Sequence, residues 1–172
     1  MDLILVNEAD EPVGAMEKME VHQKALLHRA FSIFIFNSKN ELLLQQRALD
    51  KYHSAGLWSN TCCSHPSPGE DTALAAARRL KEEMGIETPL QHAFHFIYCA
   101  EFDNQLTEHE LDHVFIGKYD GEATPNPQEI SGISYQSIDQ LLSEIKYHPQ
   151  KFTIWFKLIL PRLANQFKES EI

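Results

Sequence analysis

The spacing of apolar and polar residues changes along this chain, and the changes predict where strands and helices lie. Short runs of aliphatic and aromatic residues predict five strands, at residues 3–6, 31–36, 41–46, 93–102 and 111–119. A polar Asn-Ser-Lys-Asn run at 37–40 separates the second strand from the third and has the composition of a turn. We therefore expect those two strands to pair as a hairpin.

The clearest helical pattern lies between Thr72 and Met84. Apolar side chains recur there at helical spacing, which places on one face Ala73, Ala76, Ala77, Leu80 and Met84. Asp71 can cap the amino terminus of this helix and Gly85 can end it.

Two further helical patterns follow at residues 138–145 and 150–167, and Pro161 is expected to kink or split the second. Strands and helices mix without regular βαβ alternation, which favours a mixed α/β or α+β sandwich with helices packed on a central sheet. The 172 residues contain no linker or repeat, so the prediction is a single domain over residues 1–172.

The composition limits the functions open to such a domain. With 25 acidic and 15 basic residues the formal charge is −10, which opposes nonspecific binding to nucleic acid or to an anionic membrane. The amino terminus lacks the features of a secretory signal, and no apolar run approaches the ~20 residues of a membrane-spanning helix, so we expect a soluble, cytoplasmic protein. Three cysteines, two of them adjacent, favour reduced thiols over a disulfide framework.

The first chemically distinctive segment is Ser-Asn-Thr-Cys-Cys-Ser-His-Pro, residues 59–66. In an extended chain alternate side chains share a face, so Cys63 lies with His65 and Cys62 points to the opposite side. One of the two cysteines can therefore share a site with the histidine. The alternative is that both are small buried residues, as most unpaired cysteines are.

A second segment, residues 107–114, is rich in acidic residues and histidine. The same parity places its acidic residues on one face and its histidines on the other: Glu108, Glu110 and Asp112 against His109 and His113. Carboxylates this close repel one another unless they are solvated, protonated or bound to a cation. The segment is therefore either a solvated strand edge or part of a metal site. His22 and His28 could add imidazoles to such a site, and a mixed His/carboxylate set suits Mn²⁺, Mg²⁺ or Zn²⁺.

The predicted helix carries Arg79, Glu82 and Glu83 together on its polar side. An acidic pair beside an arginine can hold Mg²⁺ and an anionic oxygen together. Ordinary salt bridges within the helix, from Arg78 to Glu82 and from Arg79 to Glu83, are the alternative.

Residues 64–86 resemble the Nudix box, in which a glycine and a glutamate precede an Arg-Glu-U-x-Glu-Glu-x-Gly-U segment, where U is bulky and apolar. The matching residues are Glu70, Arg78, Leu80, Glu82, Glu83, Gly85 and Ile86. Ser64 replaces the first glycine, and Arg79 replaces a glutamate. Because Nudix hydrolases use this carboxylate-rich helix to bind the metals of hydrolysis, the arginine argues against hydrolase activity.

Further signatures, in the right order over nearly the whole chain, make it similar to the type I isopentenyl diphosphate isomerases. They occupy residues 27–32, 56–61, 63–66, 108–110 and 152–155. The resemblance implies a Nudix-type mixed β-sheet sandwiched by helices. It also implies an isomerase of isoprenoid biosynthesis that interconverts isopentenyl and dimethylallyl diphosphate by a metal-dependent proton shift.

The resemblance also implies which residues act. The expected ligands of a catalytic Mn²⁺ or Zn²⁺ ion are His22, His28, His65, Glu108 and Glu110. The expected ligands of a Mg²⁺ ion on the diphosphate are Glu83 and the backbone carbonyl of Cys63. The side chains expected around the phosphates are Lys18, Arg47, Lys51 and Arg79. The expected proton-transfer groups are Cys63 and, on the other side of the substrate, Glu110 with Tyr98, while the ring that faces a carbocation is that of Trp155.

Two other functions fit part of the sequence. A Nudix pyrophosphohydrolase would share the helix and would release phosphate from nucleotides. A non-enzymatic metal-binding or interaction module would hold zinc with the same His, Cys and Glu residues and would show no turnover. The isomerase predicts a small prenyl diphosphate as the partner, with no nucleic acid and no membrane, and leaves the oligomeric state open.

Overall fold

The computed structural model describes residues 1–170, which form nine strands and four α-helices, with a 3-10 turn at Pro149–Lys151. The strands are β1 Asp2–Val6, β2 Pro12–Glu17, β3 His28–Phe36, β4 Glu41–Arg47, β5 Trp58–Ser59, β6 Cys62–Ser64, β7 Gln91–Glu101, β8 Thr107–Lys118 and β9 Ile130–Ser137. The helices are α1 Lys18–Gln23, α2 Thr72–Met84, α3 Ile138–Tyr147 and α4 Ile154–Ser170.

The sheet is mixed and is centred on β3. Along its whole length β3 pairs in parallel with β8, and it also pairs antiparallel with β6. β7 continues the sheet on the far side of β8, so β8 lies inside the sheet. The acidic residues Glu108, Glu110 and Asp112 are accordingly buried. This contradicts the solvated strand edge as an account of residues 107–114.

The predicted pairing of residues 31–36 with 41–46 as a hairpin is wrong except next to the turn. Within the described chain, β3 and β4 pair at the single position Phe36 with Leu42. They then diverge because β5 and β6 lie between them, β6 paired with β3 and β5 with β4. The outer side of β4 pairs with β9, which the apolar pattern did not predict. The divergence makes room in the sheet for residues 59–66.

Helices cover both faces of the sheet, as the fold class predicts. On one face α2 buries Ala75, Ala76, Leu80 and Met84 against Phe31, Ile33, Ile35 and Leu43. Ala73 and Ala77 of the predicted stripe are exposed instead. On the other face α3 and α4 bury Leu141, Phe156, Ile159, Leu160 and Leu163 against Phe34, Phe36, Leu42 and Leu44. The two apolar layers hold the strands that carry the polar residues of the site.

The predicted ends of α2 are confirmed. The Asp71 carboxylate accepts a hydrogen bond of 3.0 Å from the Leu74 amide. Gly85 ends the helix in the left-handed region with φ of 66°, and a Cβ at this position would collide with Thr124.

The C-terminal helix was predicted to kink or split at Pro161, and it is not split, because α4 continues through the proline. The proline is exposed, while Phe156, Ile159 and Leu160 on the other side of the helix are fully buried. Packing of that buried side holds the helix through the position where proline removes a hydrogen bond. No helix within residues 1–170 is long and apolar enough to cross a membrane.

Candidate active site

A cavity of about 370 Å³ brings together most of the residues predicted to act. Among those that line it are Lys18, Arg47, Lys51, Cys63, His65, Arg79, Glu83, Tyr98, Glu108, Glu110 and Trp155. The other two predicted ligands, His22 and His28, are fully buried and approach the cavity-lining Glu108. The predicted residues come from both halves of the chain, and pairing of β8 with β3 sets Glu110 beside His28.

Four of these residues form the deepest part of the site. Single nitrogen or oxygen atoms of His22, His28, His65 and Glu108 all lie within 4.8 Å of one another. The Nε2 atom of His22 is 3.0 Å from Glu108 Oε1, and His65 Nε2 is 3.0 Å from Glu110 Oε1. Donor atoms of this kind and number suit a divalent cation.

Backbone carbonyls orient two of the imidazoles towards the carboxylates. His22 Nδ1 is 2.6 Å from the Lys18 carbonyl oxygen, and His28 Nδ1 is 2.9 Å from that of Leu26. Since a carbonyl oxygen accepts, each Nδ1 carries a hydrogen, and a neutral ring then presents the lone pair of Nε2. That lone pair faces negatively charged oxygen, which is unfavourable unless a proton or a metal ion lies between them.

Two buried atoms test whether a metal fits. Within residues 1–170, His28 Nε2 and Glu108 Oε2 are buried without a hydrogen-bond partner, although they lie 3.8 Å apart. Native proteins rarely leave such atoms unpaired, and a shared cation satisfies both. The cluster could therefore hold a divalent metal.

The electrostatics of the cluster also favour positive charge. Burial opposes protonation of His22, but Glu108 outweighs that effect and raises the pKa of His22. Burial likewise opposes ionisation of Glu110, but His28 and His65 together hold the pKa of Glu110 well below its usual range. Glu110 is thus ionised, and its negative charge favours a cation or a proton nearby.

Hydrogen bonds on two sides hold the Cys63 thiol in place. The Trp155 indole N–H donates to Cys63 Sγ at 3.0 Å, and the thiol donates to Asn60 Oδ1 at 3.2 Å. The Asn60 amide nitrogen donates to the carbonyls of Ile33 and Cys62, which fixes its oxygen towards the thiol. Burial raises the pKa of Cys63 to about 12, so the group is a thiol rather than a thiolate.

Cys62 lies on the opposite face, which confirms the strand parity. Its side chain is fully buried in the core beneath α2, and its sulfur donates to Glu83 Oε2 at 3.4 Å. Burial raises the pKa of Cys62 well above its usual value. Cys62 thus contacts the helix of the Nudix box, whereas Cys63 faces the cavity.

Basic residues line the cavity beside α2. Among the described residues, Arg47 Nε and Arg79 Nε are buried donors without a hydrogen-bond partner. Lys51 pairs with Glu129, and Arg79 pairs with Glu82 and Glu83, so the predicted salt-bridge alternative for Arg79 also exists. The unused donors can still receive an anion.

The sequence reasoning missed several residues of the site, among them His53 and Glu129. His53 Nε2 is 2.6 Å from Glu108 Oε1, and its ring stacks on Phe102 with centroids 4.6 Å apart. Glu129 pairs with Lys51 and lies 3.8 Å from Arg79. Both stand outside the regular strands and helices, so no periodicity indicated that they reach the cavity.

The NUDIX domain pattern matches residues 26–156 of the chain. A crystal structure of a Deinococcus radiodurans protein superposes with a TM-score of 0.79, at 22% sequence identity, over 94% of this chain and 98% of that one. A MutT protein from Methanosarcina mazei superposes with a TM-score of 0.70 at 21% identity, over 83% of this chain and 96% of its own. These likenesses define the class of the fold.

Curated relatives show to which group of NUDIX proteins the chain is similar. The isopentenyl-diphosphate Delta-isomerase of Pectobacterium atrosepticum is 51% identical over 167 residues, which cover 97% of this chain and 93% of the relative. The enzyme of the same name from Serratia proteamaculans is also 51% identical, over 96% of this chain and 93% of its own. The chain therefore belongs to the isopentenyl-diphosphate Delta-isomerases of the NUDIX family.

Proposed function

We propose that this isomerase interconverts isopentenyl diphosphate and dimethylallyl diphosphate in the cavity between β6, β8 and α4, as a step of isoprenoid biosynthesis. One observation carries the proposal. A thiol held by an indole, a carboxylate held by a phenol and several cations line the same cavity. These are the groups needed to shift a proton between carbons of a prenyl diphosphate.

The shift adds a proton to the terminal methylene of the alkene. It removes a proton from the CH₂ group attached to the other alkene carbon. The hydrogen bonds support opposite starting states for the two proton-transfer groups. Cys63 donates to Asn60 as a thiol, whereas the Glu110 carboxylate accepts from Tyr98 O–H at 2.8 Å. One group can therefore give a proton while the other takes one.

Trp155 is suited to the cationic state between these transfers. The residue is buried, and its indole N–H donates to Cys63, which fixes the plane of the ring next to that thiol. A buried aromatic face stabilises positive charge, and its apolar surface disfavours the water that would trap a carbocation.

The charged groups divide the cavity into two parts. Lys18, Arg47, Lys51 and Arg79 would bind the diphosphate, and Glu83 with the Cys63 carbonyl would hold Mg²⁺ there. A Mn²⁺ or Zn²⁺ ion would bind the predicted His and Glu ligands, and when bound it would supply positive charge beside the reacting centre. Glu83 is available on the cavity wall, although in this structure its carboxylate pairs with Arg79. We place the enzyme in the cytoplasm, which agrees with its three unpaired thiols.

The direct test is to incubate the purified protein with isopentenyl diphosphate and Mg²⁺ in D₂O and to follow the products by NMR. We expect the dimethylallyl product, with deuterium in the product or in recovered substrate, because both proton-transfer groups exchange with solvent. A strong chelator should abolish turnover, and Mg²⁺ with Mn²⁺ or Zn²⁺ should restore it. Phosphate release from nucleotides without isomerisation would overturn the proposal, and full turnover in metal-free protein would overturn the metal assignment.

A further inference from the structure

A second group of histidines lies on β7 and β8, on the face of these strands that points away from the cavity. His92 and His95 of β7 and His113 of β8 each offer a ring nitrogen, and these nitrogens all lie within 4.8 Å of one another. His92 Nε2 and His113 Nδ1 are 2.9 Å apart. Tyr98 and Glu110, on the same strands, point away from this group into the cavity.

A β-bulge creates the group. Residues three apart in a regular strand point to opposite faces, so His92 and His95 should not meet. The register of β7 against β8 shifts between His92 and Phe94, which leaves Ala93 as an extra residue. The bulge turns His92 to the face of His95, which lies directly opposite His113.

Asp10 orients the third histidine. His113 Nε2 is 2.8 Å from Asp10 Oδ2, while Arg29 binds the other carboxylate oxygen at 2.7 Å. The carboxylate therefore holds the hydrogen of His113 on Nε2 and leaves the lone pair of Nδ1 directed at His92. A carboxylate that orients an imidazole in this way is the usual support of a metal-binding histidine.

The state and exposure of the rings suit a ligand role. Burial lowers the pKa of His92 and of His113, which keeps both rings neutral near pH 7. His92 and His95 are exposed and His113 is half-buried, so an ion can reach the group from solvent and keep an open position. Three neutral imidazoles favour Zn²⁺ and its late first-row neighbours over Mg²⁺ or Ca²⁺.

We propose that His92, His95 and His113 form a second metal site, which binds one late first-row divalent cation such as Zn²⁺ through three imidazoles. Asp10 positions His113 from behind. The bound ion ties β7, an outer strand in the described sheet, to β8 and through Asp10 to the turn between β1 and β2. The site does not depend on the reaction assigned to the cavity.

The test uses metal-stripped full-length protein titrated with Zn²⁺ against a chromophoric chelator. We expect the unmodified protein to bind one more equivalent of Zn²⁺ than the double variant His92→Gln/His95→Gln. The reason is that loss of two imidazoles should lower the affinity of this site for Zn²⁺ at least ~100-fold. His148→Gln is the matched control, because His148 is exposed at the end of α3 and stands apart from both groups. It should keep the full stoichiometry.

Asp10→Asn tests the positioning role separately. It should lower the affinity of the proposed site for Zn²⁺ by about 10- to 100-fold and leave the other bound Zn²⁺ ions in place. Turnover of isopentenyl diphosphate and the far-ultraviolet circular dichroism of each variant show whether it is folded. If the double variant does not fold, anomalous scattering at the zinc edge from crystals of the unmodified protein decides, with a peak expected beside His113 Nδ1. Equal stoichiometry in the unmodified protein and the folded double variant, or no such peak, would overturn the proposal.

Discussion

Cys62 and Cys63 are neighbours in the chain, yet they belong to two different regions of the molecule. Cys62 lies under α2, where its neighbours are the apolar core and the Glu83 carboxylate. Cys63 lies on the cavity side, between the Trp155 indole and the Asn60 amide. The two thiols differ in what surrounds them and share the same local sequence.

Thiol acidity does not distinguish them. Burial raises the pKa of both groups, that of Cys63 to about 12. A low pKa is the usual mark of a cysteine that acts as a thiolate, and neither residue has it. The difference is access, because Cys63 lines the cavity and Cys62 does not. In the proposed reaction, a high pKa keeps Cys63 a thiol that can give a proton.

The largest expected effect follows from replacing each cysteine in turn. Cys63→Ala removes the proposed proton-transfer group but leaves Lys18 and Arg47 in place, so turnover should fall by about 10²- to 10⁴-fold with KM little changed. Cys62→Ala removes one buried contact and one donor to Glu83 and should keep most of the activity. Steady-state kinetics of the two variants make the comparison.

Alkylation provides an independent check of the same contrast. An electrophile that mimics the diphosphate substrate should label Cys63, and saturating substrate should protect it, as mass spectrometry can show. If the protected label were on Cys62 and Cys63→Ala stayed active, the catalytic assignment would be wrong.

The contrast between the two cysteines was predictable from sequence because it depends on local geometry alone. Alternation of side chains along β6 and β8 follows from the extended backbone, and it placed Cys63, Glu108 and Glu110 correctly. The ends of α2 were predictable for the same reason, since capping by Asp71 and Gly85 uses neighbouring residues.

Features that depend on distant parts of the chain were not predictable. Nothing local indicates that β5 and β6 lie between β3 and β4, or that β9 pairs with β4. His53 and Glu129 belong to segments without periodicity, and they reach the cavity because the surrounding strands bring them there. The His92 group was missed because its bulge breaks the alternation on which the prediction relied.

A second prediction concerns Arg79, which lies on α2, on the same side of the sheet as Cys62. Arg79→Glu would place a fourth carboxylate beside Glu82, Glu83 and Glu129 and remove a proposed donor for the diphosphate. Hydrogen bonds to charged groups contribute about 1.5 to 3 kcal/mol, so KM for isopentenyl diphosphate should rise roughly 10- to 100-fold.

Lys81→Glu is the control for this charge reversal, because Lys81 is exposed on the same helix and pairs with Glu87. It should leave KM nearly unchanged. Arg79→Glu restores the hydrolase-like Nudix box, but we expect no efficient hydrolysis of nucleotides, as a phosphate-release assay can check. A large gain in hydrolysis would show that this side chain alone selects the reaction.

A third prediction concerns His53, on the cavity side. His53→Phe keeps the ring that stacks on Phe102 and removes the nitrogen 2.6 Å from Glu108. Groups that orient metal ligands usually contribute 10- to 100-fold in affinity, so the Mn²⁺ concentration that half-restores turnover to stripped protein should rise by about that factor. His148→Gln should behave as the unmodified protein, and an unchanged Mn²⁺ requirement in His53→Phe would remove His53 from the site.

The smallest expected effect separates two roles of Trp155, packing and stabilisation of a cation. Phe and Leu both lose the N–H that donates to Cys63, so their difference isolates the aromatic face. A desolvated ring stabilises a cation by roughly 0.5 to 2 kcal/mol, which corresponds to about 2- to 30-fold in turnover. Trp155→Phe should therefore be faster than Trp155→Leu by that factor, measured as kcat with saturating substrate and metal. Equal losses in the two variants would mean that Trp155 contributes packing alone. That role is open to it because its side chain belongs to the buried core around α4.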